Sequence, residues 1–363
     1  MMNRSSSLTR RGLLAAALSA TALAASACGS SSSGSTSGSG SAGSASQAAL
    51  TEVTVALSWT PNTDYTGVYV ADQLGYYKDA GIKLKVIPYA STSPETLIAH
   101  QKADFGFSYQ AGVAYSQAAG QDVVGVYAPD KKGTYAIAVA ADRDDIKSPK
   151  DLDGKIYAGF GTPDEGPELK YVIKADGGTG DFKTVTLNTS AYQAVYSKKA
   201  DFTIPVVTWE GVQAERSGKP LKTFSFTDYG FPEQYSVLLA SSNKYLQANS
   251  DVAEKFLAAT AKGYSYAQEQ PDKAADLLVK ANSRELSDAG LVQASQKLLV
   301  SGDYLNTAAG HVGEQDAKIW SDYGSFLFKN GLLTDADGKA LTTEPDWTTY
   351  YTNAYLPSGT TGN

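Results

Sequence analysis

Short apolar runs alternate with amphipathic stretches along the chain from residue 53 to residue 240. Runs rich in Val, Ile, Phe and Tyr predict buried strands, whereas apolar residues at spacings of three and four predict helices. The predicted strands are 53–57, 84–87, 105–107, 123–127, 135–139, 156–159, 185–187, 202–204 and 235–240, and the helices among them are 67–74, 94–100, 110–118 and 168–174. This alternation predicts an α/β protein whose mostly parallel strands are covered by helices on both faces.

After residue 240 only helical periodicity remains. The predicted helices are 251–269, 271–281, 288–299 and 314–329, and Gly331 stands where a C-cap glycine belongs. A chain that leaves one α/β unit, builds a second and returns makes two lobes joined by two crossovers, here with a C-terminal helical region. The predicted boundaries are 51–141 plus 236–357 for lobe 1 and 142–235 for lobe 2. The cleft between the lobes is the predicted ligand site.

The first fifty residues are predicted to be an export and anchoring segment. Arg10 and Arg11 precede an uncharged run, 12–27, that is too short to span a membrane as a stable helix. The run closes with Ala-Ser-Ala-Cys at 25–28, which resembles a bacterial lipobox. Residues 1–28 are therefore predicted to be a lipoprotein signal peptide, and Cys28 to carry the lipid that anchors the protein outside the cell membrane. The alternative is a chance Cys in an ordinary cleavage region.

Two further features of this segment extend the prediction. The paired Arg fits twin-arginine export as well as the general export route. Residues 29–50 are nearly all Ser, Gly and Ala, and a stretch of this composition buries too little apolar surface to fold. We therefore expect a disordered tether between the anchor and the folded body.

Composition excludes several kinds of site. Cys28 is the only Cys in the chain, so there is no intrachain disulfide and no cysteine metal cluster. His100 and His311 are the only His, so there is no two-His zinc motif, and a Ser–His–Asp set would need one of them. The formal net charge is −7, becoming −10 without residues 1–28, which argues against a nucleic-acid partner. We expect no metal, no cofactor and no catalytic residue.

One segment carries a resemblance to known proteins. It reads Leu-Ser-Trp-Thr-Pro-Asn-Thr-Asp-Tyr-Thr-Gly-Val-Tyr-Val-Ala at 57–71, followed by Gly-Tyr-Tyr at 75–77 and Gly-Ile at 81–82. It resembles the signature of the substrate-binding proteins of ABC importers for thiamine pyrimidine precursors. That group also includes pyrimidine-synthesis proteins of yeast and binders of alkanesulfonate, nitrate and riboflavin. The resemblance continues at 102–108, 148–155, 209–211, 229–232 and 271–275.

The resemblance implies a two-lobed, periplasmic-binding-protein-like (type II) fold. It also implies a monomer that binds a small molecule, with an ABC permease and an ATPase as partners.

The loop after the first strand carries the first candidate ligand residues. It lies at the carboxyl end of a predicted parallel strand, where α/β proteins bind ligands. Trp59 offers a flat face for a planar ring, Asn62 can donate and accept hydrogen bonds, and Asp64 can accept from an exocyclic amine. Ser58 and Tyr65 stand where the resembling proteins usually carry Asp and His, and Tyr65 is a further candidate. The alternative for Trp59 is a core residue that plugs the sheet end.

Three candidates follow the third predicted strand. Ser108 is placed to cap the next helix, and Tyr109 and Gln110 are placed to face the cleft. Thr162 follows a later strand in a Gly-rich segment, where a plain turn is the alternative.

The remaining candidates lie in the second lobe and its exit. Glu210 matches the cleft carboxylate that the resemblance implies, and a carboxylate there would form a charge-assisted pair with an aminopyrimidine. Its alternative is a solvent-exposed helix acid. Tyr229 and Phe231 lie in the second crossover, where we expect them to wall the cleft.

These residues predict an extracytoplasmic solute-binding protein for a small planar heteroaromatic ligand, similar to a thiamine pyrimidine precursor. Riboflavin or another flat vitamin is the first alternative. Sulfonate or nitrate is disfavoured because residues 59–69 contain no Arg or Lys. A pyrimidine-synthesis enzyme would need a His near the cleft, where this chain has Tyr65. A sensory or adhesive lipoprotein that transports nothing is the remaining alternative.

Overall fold

The computed structural model describes residues 49–187 and 190–357. The predicted signal peptide, the lipidated Cys28 and almost all of the tether lie outside the described residues and stay predictions. Within the described ranges, every helix is too short or too polar to cross a membrane.

Strands and helices alternate as predicted in the first two thirds of the folded body. The strands are β1 (Thr51–Ala56), β2 (Ile82–Ile87), β3 (Phe105–Ser108), β4 (Val124–Tyr127), β5 (Ala136–Ala140), β6 (Ile156–Gly159), β7 (Lys183–Thr186), β8 (Phe202–Thr203), β9 (Leu221–Ser225) and β10 (Leu238–Ser241). The helices up to the last strand are α1 (Thr66–Gln73), α2 (Tyr76–Asp79), α3 (Pro94–Ala99), α4 (Gln110–Ala118), α5 (Glu165–Ala175), α6 (Ala191–Tyr196) and α7 (Val212–Arg216).

The last part of the described chain is helical, as its periodicity predicts. Its helices are α8 (Asn243–Ala248), α9 (Ser250–Glu269), α10 (Pro271–Ala281), α11 (Ala289–Ser301) and α12 (Ala317–Lys329). Phe256, Ala259 and Ala267 recur at spacings of three and eight and lie on the buried face of α9. Gly331 has φ +66°, the left-handed conformation that ends a helix.

The first sheet has the strand order β2-β1-β3-β10-β4. β1 pairs in parallel with β2 and β3, and β10 runs antiparallel to β3 and β4. Val55 lies opposite the half-buried Val86 on one side and the buried Phe105 on the other, so apolar side chains stand in register across the sheet. The parallel half of the sheet agrees with the sequence pattern.

The second sheet has the order β7-β6-β8-β5-β9. β6 pairs in parallel with β7 and β8, and β5 runs antiparallel to β8 and β9. The sequence boundary at residue 141 puts β5 with the first sheet, and its pairing puts it with the second. Its Ala-Ile-Ala-Val-Ala run is buried and suits either sheet, so the tertiary pairing decides its place. The first crossover therefore lies between β4 and β5.

Two glycines allow α1, the helix that follows the first strand, to pack closely against α9. A Cβ atom on Gly263 of α9 would lie 1.9 Å from the carbonyl oxygen of Gly67 of α1, and one on Gly67 would lie 2.2 Å from the ring of Tyr264. The two helices therefore pack backbone to backbone. This contact sets where the loop between β1 and α1 lies.

Candidate ligand-binding site

A cavity of about 280 Å³ lies between loops of the two sheets. It is bounded by segments that follow β1, β3, β6 and β8, the strands that pair in parallel within each sheet. Its lining residues are Ser58, Trp59, Asn62, Asp64, Tyr65, Ser108, Tyr109, Tyr135, Phe160, Thr162, Asp164, Glu165, Glu168, Tyr192, Ile204, Val206, Glu210, Ser236 and Val237. The carboxyl ends of parallel strands thus converge on one site, as α/β architecture favours.

The structure brings most of the predicted ligand residues together at this cavity. Those that line it are Trp59, Asn62, Asp64, Tyr65, Ser108, Tyr109, Thr162 and Glu210. Their contact with a ligand remains a prediction, since the structure shows where they lie.

Three predicted residues lie elsewhere. Gln110 is 1% exposed, and its amide donates to the carbonyl of Ile319 (3.0 Å) and accepts from the backbone N–H of Tyr235 (3.1 Å). Its side chain therefore ties α4 to α12 and to the second crossover. The expectation that Gln110 faces the cleft is wrong, because both ends of its amide are used inside the protein.

Tyr229 and Phe231 also lie away from the cavity. Tyr229 ends a surface turn, Thr227–Tyr229, after β9. Phe231 is buried and packs against Tyr171 and Phe326, with ring centroids 5.3 Å and 4.8 Å away. The second crossover therefore packs against α5 and α12. The expectation that Tyr229 and Phe231 line the cleft is wrong.

Ser108 lines the cavity without capping the next helix. Tyr109 occupies the N-cap position of α4, and its side chain makes no cap hydrogen bond. The hydroxyl of Ser108 instead donates to the buried carboxylate of Glu95 on α3. The predicted cap is wrong because Ser108 belongs to β3 and lies two positions before Gln110, where α4 begins, so Tyr109 takes the N-cap position.

The loop after β1, residues 58–65, is called the Trp59 loop. Asn62 accepts the backbone N–H of Asp64 (2.8 Å), and the hydroxyl of Tyr264 donates to the carbonyl of Asp64 (2.6 Å). The hydroxyls of Ser58 and Tyr65 lie 3.1 Å apart. Asp64 is thus held by its backbone, while its Oδ1 is buried without a partner among the described residues. Burial raises the pKa of Asp64 to about 7.

Glu210 lies in a π-helical turn, Val207–Gly211, called the Glu210 turn. Such turns are often found at functional sites. Glu210 is 4% exposed, so the solvent-exposed alternative is wrong, and its Oε2 accepts the backbone N–H of Val206 (3.1 Å). Burial raises the pKa of Glu210 to about 8, and the nearby charge of Asp64 acts in the same direction. Two carboxyl groups from different sheets therefore face the same space.

Helix α11 connects these two carboxyl-bearing segments. The hydroxyl of Ser295 donates to the carbonyl of Thr208 in the Glu210 turn (2.5 Å) and lies 2.6 Å from the hydroxyl of Thr63 in the Trp59 loop. All three residues are completely buried. Ser295 of the helical region therefore links the two segments that carry Asp64 and Glu210.

The aromatic residues of the site come from both sheets. The ring centroids of Trp59 and Phe160 are 5.8 Å apart at 77°, and those of Phe160 and Tyr192 are 5.5 Å apart at 54°. Trp59 is partly buried, lines the cavity, and also packs against the hydrophobic core that contains Val55 and Phe107. It therefore has features of both a ligand-facing residue and a core residue, the two alternatives that its sequence position left open. Tyr135 lines the cavity from the edge of β5.

Sequence reasoning missed the acidic start of α5. Asp164, Glu165 and Glu168 all line the cavity. Glu165 accepts the backbone N–H groups of Phe160 (2.9 Å) and Gly161 (3.1 Å), which shapes the loop after β6. Burial raises the pKa of Asp164 and of Glu168. The signal was present, because this loop follows a parallel strand just as the Trp59 loop does.

The lining of the cavity is acidic and aromatic. Its ionisable lining residues are carboxylic acids and tyrosines, and none of its lining residues, all within the described ranges, is Lys, Arg or His. A site of this kind accepts hydrogen bonds from amines and stacks on flat rings. It opposes anions, because no cation offsets the carboxylates.

Two sheets joined by two crossovers, with a ligand-sized cavity between their loops, define the fold of the periplasmic binding proteins. The periplasmic aliphatic sulphonate binding protein SsuA from Escherichia coli superposes with a TM-score of 0.59 at 16% identity, over 81% of this chain and 94% of that one. The NMT1/THI5 like family description matches residues 62–274. The chain therefore belongs to the NMT1/THI5-like family.

Two relatives carry names of different kinds. The formylaminopyrimidine-binding protein of Halalkalibacterium halodurans is 28% identical over 77% of this chain and 85% of its own length. The 4-amino-5-hydroxymethyl-2-methylpyrimidine phosphate synthase of Legionella pneumophila is 26% identical over 64% of this chain and 74% of its own. The relatives of this chain thus include both a binding protein and an enzyme that are named for pyrimidines.

Proposed function

We propose that this protein captures a small planar aminopyrimidine outside the cell membrane and delivers it to an ABC permease driven by a cytoplasmic ATPase. The observation that carries the proposal is the composition of the cavity: aromatic side chains from both sheets surround carboxyl groups, and no basic residue lines it. The name of the Halalkalibacterium halodurans relative supports the same ligand class.

The arrangement suits a single flat ring with amino substituents. Trp59 supplies a ring face in one sheet's loop, and Phe160 and Tyr192 supply aromatic surface in the other's. Asp64 and Glu210 supply carboxyl groups that can accept from an exocyclic amine or a ring N–H. Their raised pKa values favour the protonated form near neutral pH in the ligand-free protein, and a bound donor would favour the ionised form, whose hydrogen bonds are about twice as strong as neutral ones. A ligand held this way contacts both sheets at once.

Other ligands fit the cavity less well. Sulfonate and nitrate are anions, and the cavity offers them carboxylates and no basic lining residue. Riboflavin carries three fused rings and a sugar chain, whereas about 280 Å³ is at the small end of ligand pockets.

Binding without chemistry is the proposed activity. An enzyme of the kind expected from the yeast relatives would need a His at the site, and neither His100 nor His311 lines the cavity. His311 is exposed and paired with Glu314. If incubation of the protein with an aminopyrimidine leads to its conversion, detected by NMR of the mixture, this part of the proposal is wrong.

A thermal-shift and calorimetry screen tests the ligand class. The full chain, purified in detergent, would be screened against aminopyrimidines, thiamine, riboflavin, taurine and nitrate. A ligand at 100 times its dissociation constant stabilises the folded state by about 2.7 kcal/mol, which gives a readable shift. A response to aminopyrimidines supports the proposal, and a response only to riboflavin, taurine or nitrate contradicts it.

Anchoring is proposed from the N-terminal sequence alone. Cys28 would carry the lipid, so the wild-type chain should fractionate with membranes and incorporate labelled fatty acid. The Cys28→Ser variant should do neither. Equal membrane association of the two proteins would contradict the lipid anchor.

A further inference from the structure

Asp164 immediately precedes α5 and differs from the other two acids at the start of that helix. It is 7% exposed and lines the cavity, and its Oδ1 has no hydrogen-bond partner among the described residues. Glu165 accepts two backbone N–H groups, and Glu168 accepts the hydroxyl of Tyr323 (2.7 Å). Each of those two acids has an acceptor oxygen that the protein uses, whereas Oδ1 of Asp164, a residue that lines the cavity, accepts no hydrogen bond within the described residues. The nearby hydroxyls of Thr162 and Tyr115 act to lower the pKa of Asp164, against the larger effect of burial.

Asp164 lies among other acids and tyrosines, and none of the residues that line the cavity, all within the described ranges, is basic. Burial, and next the charge of Asp164, raise the pKa of Tyr109 and Tyr135, so all three lie close together. The charge of Asp164 raises the pKa of several ionisable groups, and Glu165 in turn raises the pKa of Asp164. The groups affected by Asp164 include Tyr109, Tyr115, Tyr135, Tyr157, Glu168 and Tyr323. A buried carboxylate without a partner is costly unless a cation or a proton neutralises it. Since the cavity lining holds no basic residue, the cation would have to arrive with the ligand.

We infer that Asp164 is a second binding group of the cavity, apart from Asp64 and Glu210, and that it takes a protonated primary amine. The inference rests on the proposed function for the ring. The preferred ligand is then a planar aminopyrimidine that carries an ammonium group on a short arm, rather than a neutral hydroxyl or a formylated amine.

An ammonium group satisfies this position in two ways. It donates a charge-assisted hydrogen bond to the carboxylate, and the faces of Tyr109 and Tyr135 attract a cation. A hydroxyl of the same size keeps a hydrogen bond and loses the charge. The competing arrangement is a protonated Asp164, which would donate to a carbonyl and favour the formylated amine.

Two pyrimidines that differ in one group test the inference. The neutral probe is 4-amino-5-hydroxymethyl-2-methylpyrimidine, whose phosphate appears in the name of the Legionella relative. The cationic probe carries an aminomethyl group in place of the hydroxymethyl group, and the third probe is its N-formyl derivative. Calorimetry at pH 7.5 would give the three dissociation constants for the wild type and for Asp164→Asn, with the full chain in detergent.

The wild type should bind the aminomethyl probe roughly tenfold or more tighter than the hydroxymethyl probe. Asp164→Asn should lower the affinity for the aminomethyl probe more than the affinity for the hydroxymethyl probe, and so remove this preference. Equal or tighter wild-type binding of either neutral probe overturns the inference, and that comparison needs no variant. An equal loss for all probes in Asp164→Asn also overturns it, because it indicates a purely structural role.

A matched control removes a carboxylate outside the cavity. Asp228→Asn changes an exposed residue of the second-sheet region and should leave all three constants as in the wild type. Benzylamine and benzyl alcohol separate this inference from the proposed function. If no pyrimidine binds but benzylamine stabilises the wild type and not Asp164→Asn, the ligand class is wrong and the amine site stands. If neither benzylamine nor any pyrimidine binds, the proposed ligand class and the amine site at Asp164 are both wrong.

Discussion

Replacing Glu210 with Gln should change how the stability of the protein depends on pH. The folded state holds the pKa of Glu210 at about 8 and that of Asp64 at about 7, against usual values of 4.5 and 3.8, chiefly because both are buried. A raised carboxyl pKa means that the folded protein keeps a proton that the unfolded chain has released. The resulting stability is fully present below about pH 4 and is lost as the pH rises through about 8.

The magnitude follows from proton linkage. Between about pH 5 and pH 6 each of the two groups lowers the free energy of unfolding by about 1.4 kcal/mol per pH unit, and the contribution of Asp64 falls as the pH approaches 7. The wild type should therefore lose about 3 kcal/mol per unit from this pair. Glu210→Gln cannot titrate, so about half of that slope should remain, from Asp64.

Urea unfolding at half-unit steps from pH 5 to pH 8, without ligand, measures both slopes. Asp228→Asn removes an exposed carboxylate instead and serves as the control for loss of one acid. If Glu210→Gln keeps the wild-type slope, Glu210 is ionised in the folded protein at neutral pH, and the reasoning from its burial is refuted.

Three further substitutions, with Gly166→Ala as a fourth that serves as a control, test ligand binding and packing around the site. Trp59→Ala should weaken ligand binding, since stacking alone is worth about 0.5–1.5 kcal/mol, and a collapse of thermal stability instead would make Trp59 a core residue. Ser295→Ala leaves the hydroxyl of Thr63 without its partner in α11. Calorimetry should therefore show weaker ligand binding, and urea unfolding should show a free energy of unfolding lower by about 1–3 kcal/mol. If neither value changes, Ser295 does not link the two segments. Gly263→Ala places a methyl group 1.9 Å from the carbonyl oxygen of Gly67 and should lower the free energy of unfolding by about 1–3 kcal/mol or more. Gly166→Ala on α5 meets nothing within 4 Å and should leave that free energy unchanged or raise it. Urea unfolding measures both.

Many residues of the cavity could be predicted from the sequence because one rule of α/β architecture says where ligand-binding loops lie. Residues that follow parallel strands converge at one edge of a sheet, and this rule brought Trp59, Tyr109 and Thr162 to the cavity. The same rule applied to the loop after β6 would have included Asp164. The omission came from treating that segment as a turn and considering only Thr162.

The wrong predictions of cleft residues arose where a side chain hydrogen-bonds or packs with a residue far away in the sequence. Gln110 has a polar side chain directly after a strand, yet its amide bonds to Ile319, which is 209 positions away. Phe231 was expected at the cleft, but it is drawn into aromatic packing between α5 and α12. Local sequence does not contain this information, because the choice depends on which surfaces the chain brings together.

The sequence by itself determined the local elements and their order. Helix 110–118 and strand 156–159 have the predicted bounds, because apolar periodicity is a local property that records which face of an element is buried. It also determined the absence of basic residues from the Trp59 loop and the membership of the family.

Only the tertiary structure decided what those elements form together. It placed β5 in the second sheet, joined the Trp59 loop to the Glu210 turn through Ser295, and buried Asp64, Asp164 and Glu210 in one cavity. Strand pairing and burial depend on contacts between residues far apart in the chain. The charge environment of a carboxyl group, and hence its pKa, therefore exists only once the two sheets are assembled.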